Sequence, residues 1–283
     1  MQDAFAHCEG LVRAADKDRF LASLFAPAEH RDALLALYAF NLEIARVREV
    51  AHEAVAGEIR LQWWSDVLGD AGRGEVAAHP VAAALLATMA RYQLPPERLE
   101  RLIEARRFDL YDEPMGTLAD LEAYADGAST SLIALAAQIL AGGEEPDIRM
   151  LSHHAGLAHA FVGLLAVFPI HAARGQIFVP LEILARHGAT REQVLGGQAT
   201  PQLHEALAEL RLHARRHLRA AQQLLAAAPP TVMPALLPVA LAGPTLARMG
   251  RRGYDPFTPL EIAAWRRQLI LWRAARWPRR MFD

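Results

Sequence analysis

Leu34-Leu-Ala-Leu-Tyr-Ala-Phe-Asn-Leu-Glu-Ile-Ala-Arg-Val-Arg-Glu49 changes character half-way along its length. Leu34, Leu37, Tyr38 and Leu42 fall at helical spacing, which predicts a core helix. The second half carries Glu43, Arg46, Arg48 and Glu49, and the face running through Tyr38 and Leu42 continues to Ala45, Arg46 and Glu49. A helix that is apolar for two turns and then charged either lines a cavity or pairs Glu with Arg at a solvated end.

The rest of the chain has the composition such a helix needs. It has 283 residues, is 53% hydrophobic with few aromatics, and is dominated by Ala and Leu, which favours helices. No Gly/Pro/Ser-rich stretch divides it, so residues 1–283 are expected to form one all-α domain. A formal charge of −2 gives no reason to expect nucleic acid. Cys8 is the single cysteine, which excludes a disulfide framework and a cysteine zinc site and suits a reducing, cytoplasmic compartment. The first nine residues lack the basic and apolar pattern of a signal peptide. Val232 to Leu246 is the most apolar stretch, but it is short for a membrane span and interrupted by Pro234, Pro238 and Pro244.

Helix boundaries follow from caps and prolines. Residues 10–26 read as a first helix marked by Leu11, Leu21, Leu24 and Phe25 and broken by Pro27. In Gly57-Glu-Ile-Arg-Leu-Gln-Trp-Trp-Ser-Asp-Val-Leu68, adjacent tryptophans point about 100° apart, so at least one belongs to the core. Arg60 and Trp64 share a face, where a guanidinium can stack on the ring; plain packing is the alternative. Gly69 to Glu75 reads as a loop, and His79-Pro80-Val81 opens a helix. After Leu94-Pro95-Pro96 a helix leads to Arg106 and Asp109, either an inward pair or a surface one. Thr117 to Asp120 is a capping box, Gly127 to Thr130 a bend, and Gly142 to Pro146 a turn. Thr190 to Gln193 caps a short helix, and Leu203 to Leu225 is a long one. On it, His213 and His217 are four apart but lack the carboxylate of an H-E-x-x-H zinc motif. His153, His154 and His159 read as surface and groove histidines. Thr258-Pro-Leu-Glu261 looks like a strong helix start. In the following helix, Trp265, Leu269 and Trp272 form a stripe that either docks on the core or, with Arg266, Arg267, Arg273 and Arg276, lies on an anionic membrane.

Tyr38-Ala39-Phe40 with the charged segment after it resembles the first acidic helix of the squalene/phytoene synthase family. There the pattern is Tyr-Ala-Phe-Cys-Arg followed by Asp-Asp-x-x-Asp. Its aspartate positions fall here on Ala45, Arg46 and Glu49. Arg60-Leu61 and Trp63-Trp64-Ser65-Asp66 are similar to a second motif. Gly156-Leu157-Ala158, Arg174-Gly175, Ile177 and Pro180 match the flanks of the second acidic segment. Inside those flanks the aspartates are replaced by Val167 and His171, the asparagine by Gly163, and Pro169 enters the helix. Asp18-Arg19-Phe20 stands where the synthases usually have Ser-Phe near the diphosphate; Asp18 would repel a phosphate.

The resemblance implies an isoprenoid-synthase-type helical bundle around a central cavity. It also implies the sites to inspect: Tyr38, Asn41, Arg46, Glu49, Arg60, Trp64, Arg106, Asp109, His171 and Arg174. Ionising an allylic diphosphate takes Mg²⁺ held by hard oxygen ligands, and Glu49 alone remains. The residues therefore predict no cofactor and no catalytic set; Mg²⁺ belongs only to the alternative, a head-to-head prenyltransferase using farnesyl or geranylgeranyl diphosphate. Phe40-Asn41-Leu42-Glu43, the 57–64 stretch and Gly253-Tyr254-Asp255 are similar to the branch of the family that acts in assembly of respiratory complex I. That branch implies a non-catalytic scaffold working with a complex I subunit or assembly intermediate, peripheral to the inner membrane. An isoprenoid or lipid phosphate held by arginines without metal stays open as its ligand.

Overall fold

The computed structural model describes residues 1–51, 53–69 and 78–282. Among them all regular structure is helical. The loop expected at Gly69 to Glu75 lies, from residue 70 onward, outside the described residues.

The decisive stretch is a core helix, as its spacing predicts. Helix α3 (Ala28–Ala45) buries an unbroken run from Ala33 to Asn41, because it packs on α1 (Gln2–Ala15) and α6 (Pro80–Tyr92) on one side and α9 (Ser131–Leu140) on another. It stops at Arg46 (φ −102°, ψ 7°), and a separate turn, α4 (Val47–Val50), carries Glu49. The first helix is two. Asp16 breaks it by capping α2 (Lys17–Ser23): its side chain accepts the backbone N–H of Arg19 at 3.0 Å. Leu24 and Phe25 are consequently exposed rather than core.

Helices α5 (Ala54–Leu68), α7 (Pro96–Arg107) and α8 (Leu118–Ala125) follow, with the Thr117–Asp120 capping box formed. The bend expected at Gly127 to Thr130 is a π-helical turn, Asp126–Thr130, which carries α8 into α9 without interruption. It is wedged between neighbours by two glycines. A Cβ on Gly127 would lie 2.9 Å from Ala105 of α7, and one on Gly156 would lie 2.3 Å from Thr130 Oγ1 and 2.7 Å from its backbone N. Gly156 belongs to α10 (Arg149–Ala166), which packs along α14 (Pro201–Leu224). Pro169 ends α10, and α11 (Phe168–Ala173) restarts with the proline in its first turn, where no N–H is needed. Short helices α12 (Leu181–Arg186) and α13 (Arg191–Leu195) lead into α14.

Two expectations fail near the C-terminus. Prolines 234, 238 and 244 do not break the apolar stretch. They begin successive α and 3-10 turns, among them α15 (Met233–Leu236) and α16 (Ala242–Met249), so Pro230–Met249 is a 20-residue helical run of mean hydropathy 1.4. It is long and apolar enough to cross a membrane, yet 72% of its most apolar 18-residue window is buried within the protein. The start at Thr258 is unused: Thr258 Oγ1 donates to Asp255 Oδ2 at 2.8 Å, and Asp255 Oδ1 accepts from Phe257 N–H. With its hydroxyl turned back into that loop, Thr258 cannot cap, and α17 (Ala264–Arg276) begins later.

Candidate functional site

The end of α3 and the break between α10 and α11 bring together the positions where a prenyl synthase would need two sets of carboxylates. What meets there is an ion-pair chain. Glu49 accepts from Arg46 Nε at 3.0 Å and from Arg174 Nη1 at 3.1 Å, so α4 is tied to the end of α11. Burial works against the Glu49 carboxylate, but the two arginines hold it below the usual carboxylate range. Arg48 adds a second tie, donating to the Asp109 carbonyl at 3.0 Å and pairing with Asp112.

Behind this mouth the interior is filled. Arg106 and Asp109 form the inward pair at 3.1 Å, each side chain less than one-fifth exposed. Arg106 Nη1 also donates to Tyr124 Oη at 2.7 Å, and the Tyr124 hydroxyl donates to Asp109 at 3.0 Å. Burial pushes the Asp109 carboxyl up against the pull of Arg106, and pushes the Tyr124 phenol strongly up. His171 lies on the Phe178 ring at 4.5 Å, and Phe178 meets Phe108 and Tyr124. Burial, with Arg174, Arg106 and Arg48 nearby, lowers the His171 pKa to about 4, so the ring is neutral. Between Leu121, Phe161, Leu165, Phe168, His171 and Phe178 remains a cavity of about 20 Å³, room for about one water.

Beside it sits a group that sequence reasoning missed. Arg19 bonds Asp16 at 2.5 Å, approaches His159 Nε2 at 3.4 Å and covers the Tyr38 ring at 5.7 Å. Burial raises the Tyr38 phenol to about 12 and, with Arg19, lowers His159 to about 4. His159, half-buried, stands against Arg19, and Asp18 meets Arg267 at 3.1 Å rather than an open phosphate site. The signal was Asp16 three residues before Arg19, which can be a cap or a buried pair.

Arg60 and Trp64 lie elsewhere. Trp64 is 3% exposed and packs on Phe40 (4.9 Å), Trp63 and His79. Arg60 is exposed to solvent, while the Trp64 ring meets Phe40 and Trp63 in edge-to-face contacts. Both residues line a separate groove of about 620 Å³ with Leu11, Leu42, Glu43, Arg46 and His79. Burial raises Glu43 to about 7 although Arg60 opposes it. Asn41, 4% exposed, is buried with α3, and its Oδ1 has no donor among the described residues.

The residues at the mouth do not fit Mg²⁺. The donor set offers one carboxylate, Glu49, already paired with two guanidiniums, and the aspartate positions of the second segment hold a neutral imidazole at His171 and an alkyl side chain at Val167. The orphaned buried atoms nearby include Arg106 Nε, a donor, which repels a cation.

An all-helical bundle whose two helix ends meet over a filled interior defines a protein of the isoprenoid-synthase class with its metal ligands replaced. The chain belongs to the squalene/phytoene synthase family, whose pattern matches residues 12–274. It is 29% identical over 257 residues to rat NADH dehydrogenase (ubiquinone) complex I assembly factor 6, covering 91% of this chain and 77% of that protein. It is 27% identical over 285 residues to the phytoene synthase of Thermus thermophilus, covering 95% and 93%. A dehydrosqualene synthase crystal structure superposes with a TM-score of 0.84 at 19% identity, over 97% of this chain and 96% of that one. Squalene synthase HpnC from Alicyclobacillus acidocaldarius gives 0.77 at 26% identity, over 90% and 96%.

Proposed function

We propose that this chain is a non-catalytic member of its family that acts as an assembly or scaffold factor for respiratory complex I at a membrane surface. One observation carries the loss of synthase chemistry: Glu49, the one carboxylate left at the metal-ligand positions, is paired with both Arg46 and Arg174, which leaves the cluster with a net positive charge. The filled interior and the similarity to complex I assembly factor 6 support the same reading.

The membrane contact rests on α17. Its stripe faces outward, with Trp265 68% and Trp272 51% exposed, and Leu271 and Ala274 take the buried side. Trp277 is exposed as well, and Ile262 to Phe282 contains arginines but no acidic residue. Exposed tryptophans ringed by arginine suit an anionic lipid surface.

Isothermal titration with farnesyl thiodiphosphate, with and without Mg²⁺, tests the non-catalytic reading. No Mg²⁺-dependent heat is expected; Mg²⁺-dependent micromolar binding overturns it. Mg²⁺-independent binding would assign a lipid phosphate to the groove of Arg46, Arg60 and Trp63, the second reading that this groove favours. For the assembly role, membranes of cells lacking the gene are expected to lose assembled complex I on native gels. Unchanged complex I refutes it.

A further inference from the structure

Apart from the mouth and the filled interior, three histidines from two helices converge. His153 and His154 of α10 and His217 of α14 each offer a ring nitrogen, and the three nitrogens lie within 4.8 Å of one another. Adjacent residues of a helix diverge by about 100°, yet α14 packs alongside α10 and brings His217 within reach of both His153 and His154. His154 Nδ1 and His217 Nδ1 are 3.0 Å apart, and the rings stand with centroids at 5.2 Å. The geometry points to a site for a single late first-row divalent metal, Zn²⁺ by preference, held by His153, His154 and His217 and clamping α10 to α14.

Each part of the arrangement suits that ion. Three imidazoles leave one position of a zinc tetrahedron for water. Imidazole also excludes the hard cations that the family's aspartates would take. Ligands about 2.1 Å from zinc stand roughly 3.4 Å apart, so the 3.0 Å pair needs to open only slightly. His153 is oriented by a carboxylate: its Nδ1 meets Asp126 Oδ1 at 2.9 Å, leaving Nε2 as the free donor. Glu122 Oε1 stands 3.7 Å from His217 Nε2, on the ring edge away from His154. Carboxylates behind metal-bound histidines fix ring and tautomer in this way. Asp126 opens the π-helical turn, so the site would also pin the turn on which α10 rests.

The test uses untagged full-length protein, stripped with EDTA and dialysed, then titrated with ZnCl₂ in a buffer that does not bind metal. One equivalent is expected to bind, with a rise in Tm, and Co²⁺ is expected to give the intense visible absorption of a four-coordinate site. His154→Ala and His217→Ala should each weaken binding at least about 100-fold, and Asp126→Asn about 10- to 100-fold. His213→Ala, one turn away beside Glu209, should leave it unchanged. His154→Gln and His217→Gln, checked by circular dichroism, replace the alanine variants if those do not fold. Weak multi-site binding, binding indifferent to His154 and His217, or only six-coordinate Co²⁺ absorption in the parent protein overturns the assignment.

Discussion

Arg106→Met should unfold the filled interior most directly. The side chain makes a 3.1 Å pair with Asp109 and a 2.7 Å hydrogen bond to Tyr124, and neither acid nor base is more than one-fifth exposed. Removing the guanidinium leaves Asp109 with the Tyr124 hydroxyl as its close donor. Breaking one side of a buried pair costs about 3–5 kcal/mol, a large share of the roughly 5–15 kcal/mol that holds a domain together. With a urea m-value of about 3 kcal/mol/M, the midpoint should fall by about 1–1.7 M, followed by circular dichroism and tryptophan fluorescence. Replacing the whole cluster by apolar groups, Arg106→Met with Asp109→Leu and Tyr124→Phe, should recover most of the loss, because no polar group is then left unpaired. The coupling between Arg106 and Asp109 should be at least about 2 kcal/mol in a double-mutant cycle. A single-variant loss below about 1 kcal/mol, with no coupling, would mean that water reaches the pair as at a surface, and the closed interior would be refuted.

Other outcomes follow from the same contacts. His159 and His171 have folded pKa values near 4 against 6.5 unfolded, so the unfolded chain binds the extra protons: stability should be complete above pH 6.5 and fall toward pH 4, by at most about 3 kcal/mol per ring. Glu43, raised to about 7, acts in the opposite sense, and Glu43→Gln should steepen the acid loss measured by Tm against pH; an acid limb unchanged in Glu43→Gln would refute the Glu43 assignment, and a flat profile in Glu43→Gln would refute that of the histidines. Gly156→Ala should destabilise by about 1–3 kcal/mol or more, since its Cβ meets the backbone of Thr130; thermal melts unchanged from the parent would show that α10 does not rest on the π-turn. Trp265→Ser with Trp272→Ser should release the protein from phosphatidylglycerol vesicles in co-sedimentation without lowering Tm, because both rings are exposed. A large Tm loss with unchanged vesicle binding would mean that the stripe docks on protein.

Local rules carried the sequence a long way. Helical spacing found the core helix, prolines and caps found most boundaries, and the residues at positions 45, 46, 167 and 171 already declared all but one of the magnesium carboxylates gone. Where local rules failed, a nearby partner had taken the deciding group. Asp16 split the first helix by accepting from Arg19, and Asp255 took the hydroxyl that Thr258 needed as a cap. The prolines of the apolar stretch fell in first turns and did not interrupt it.

Sequence alone therefore determined the helical class, the family and the missing carboxylates, because these depend on residue type and on spacing of a few positions along one helix. Only the tertiary structure decided what stands in place of the carboxylates. Arg174 reaches Glu49 across 125 residues, His217 reaches His154 across 63, and the Trp265 stripe faces solvent while Leu271 faces the core. Such choices are set by which helices pack together, and periodicity within one helix carries no record of its neighbour.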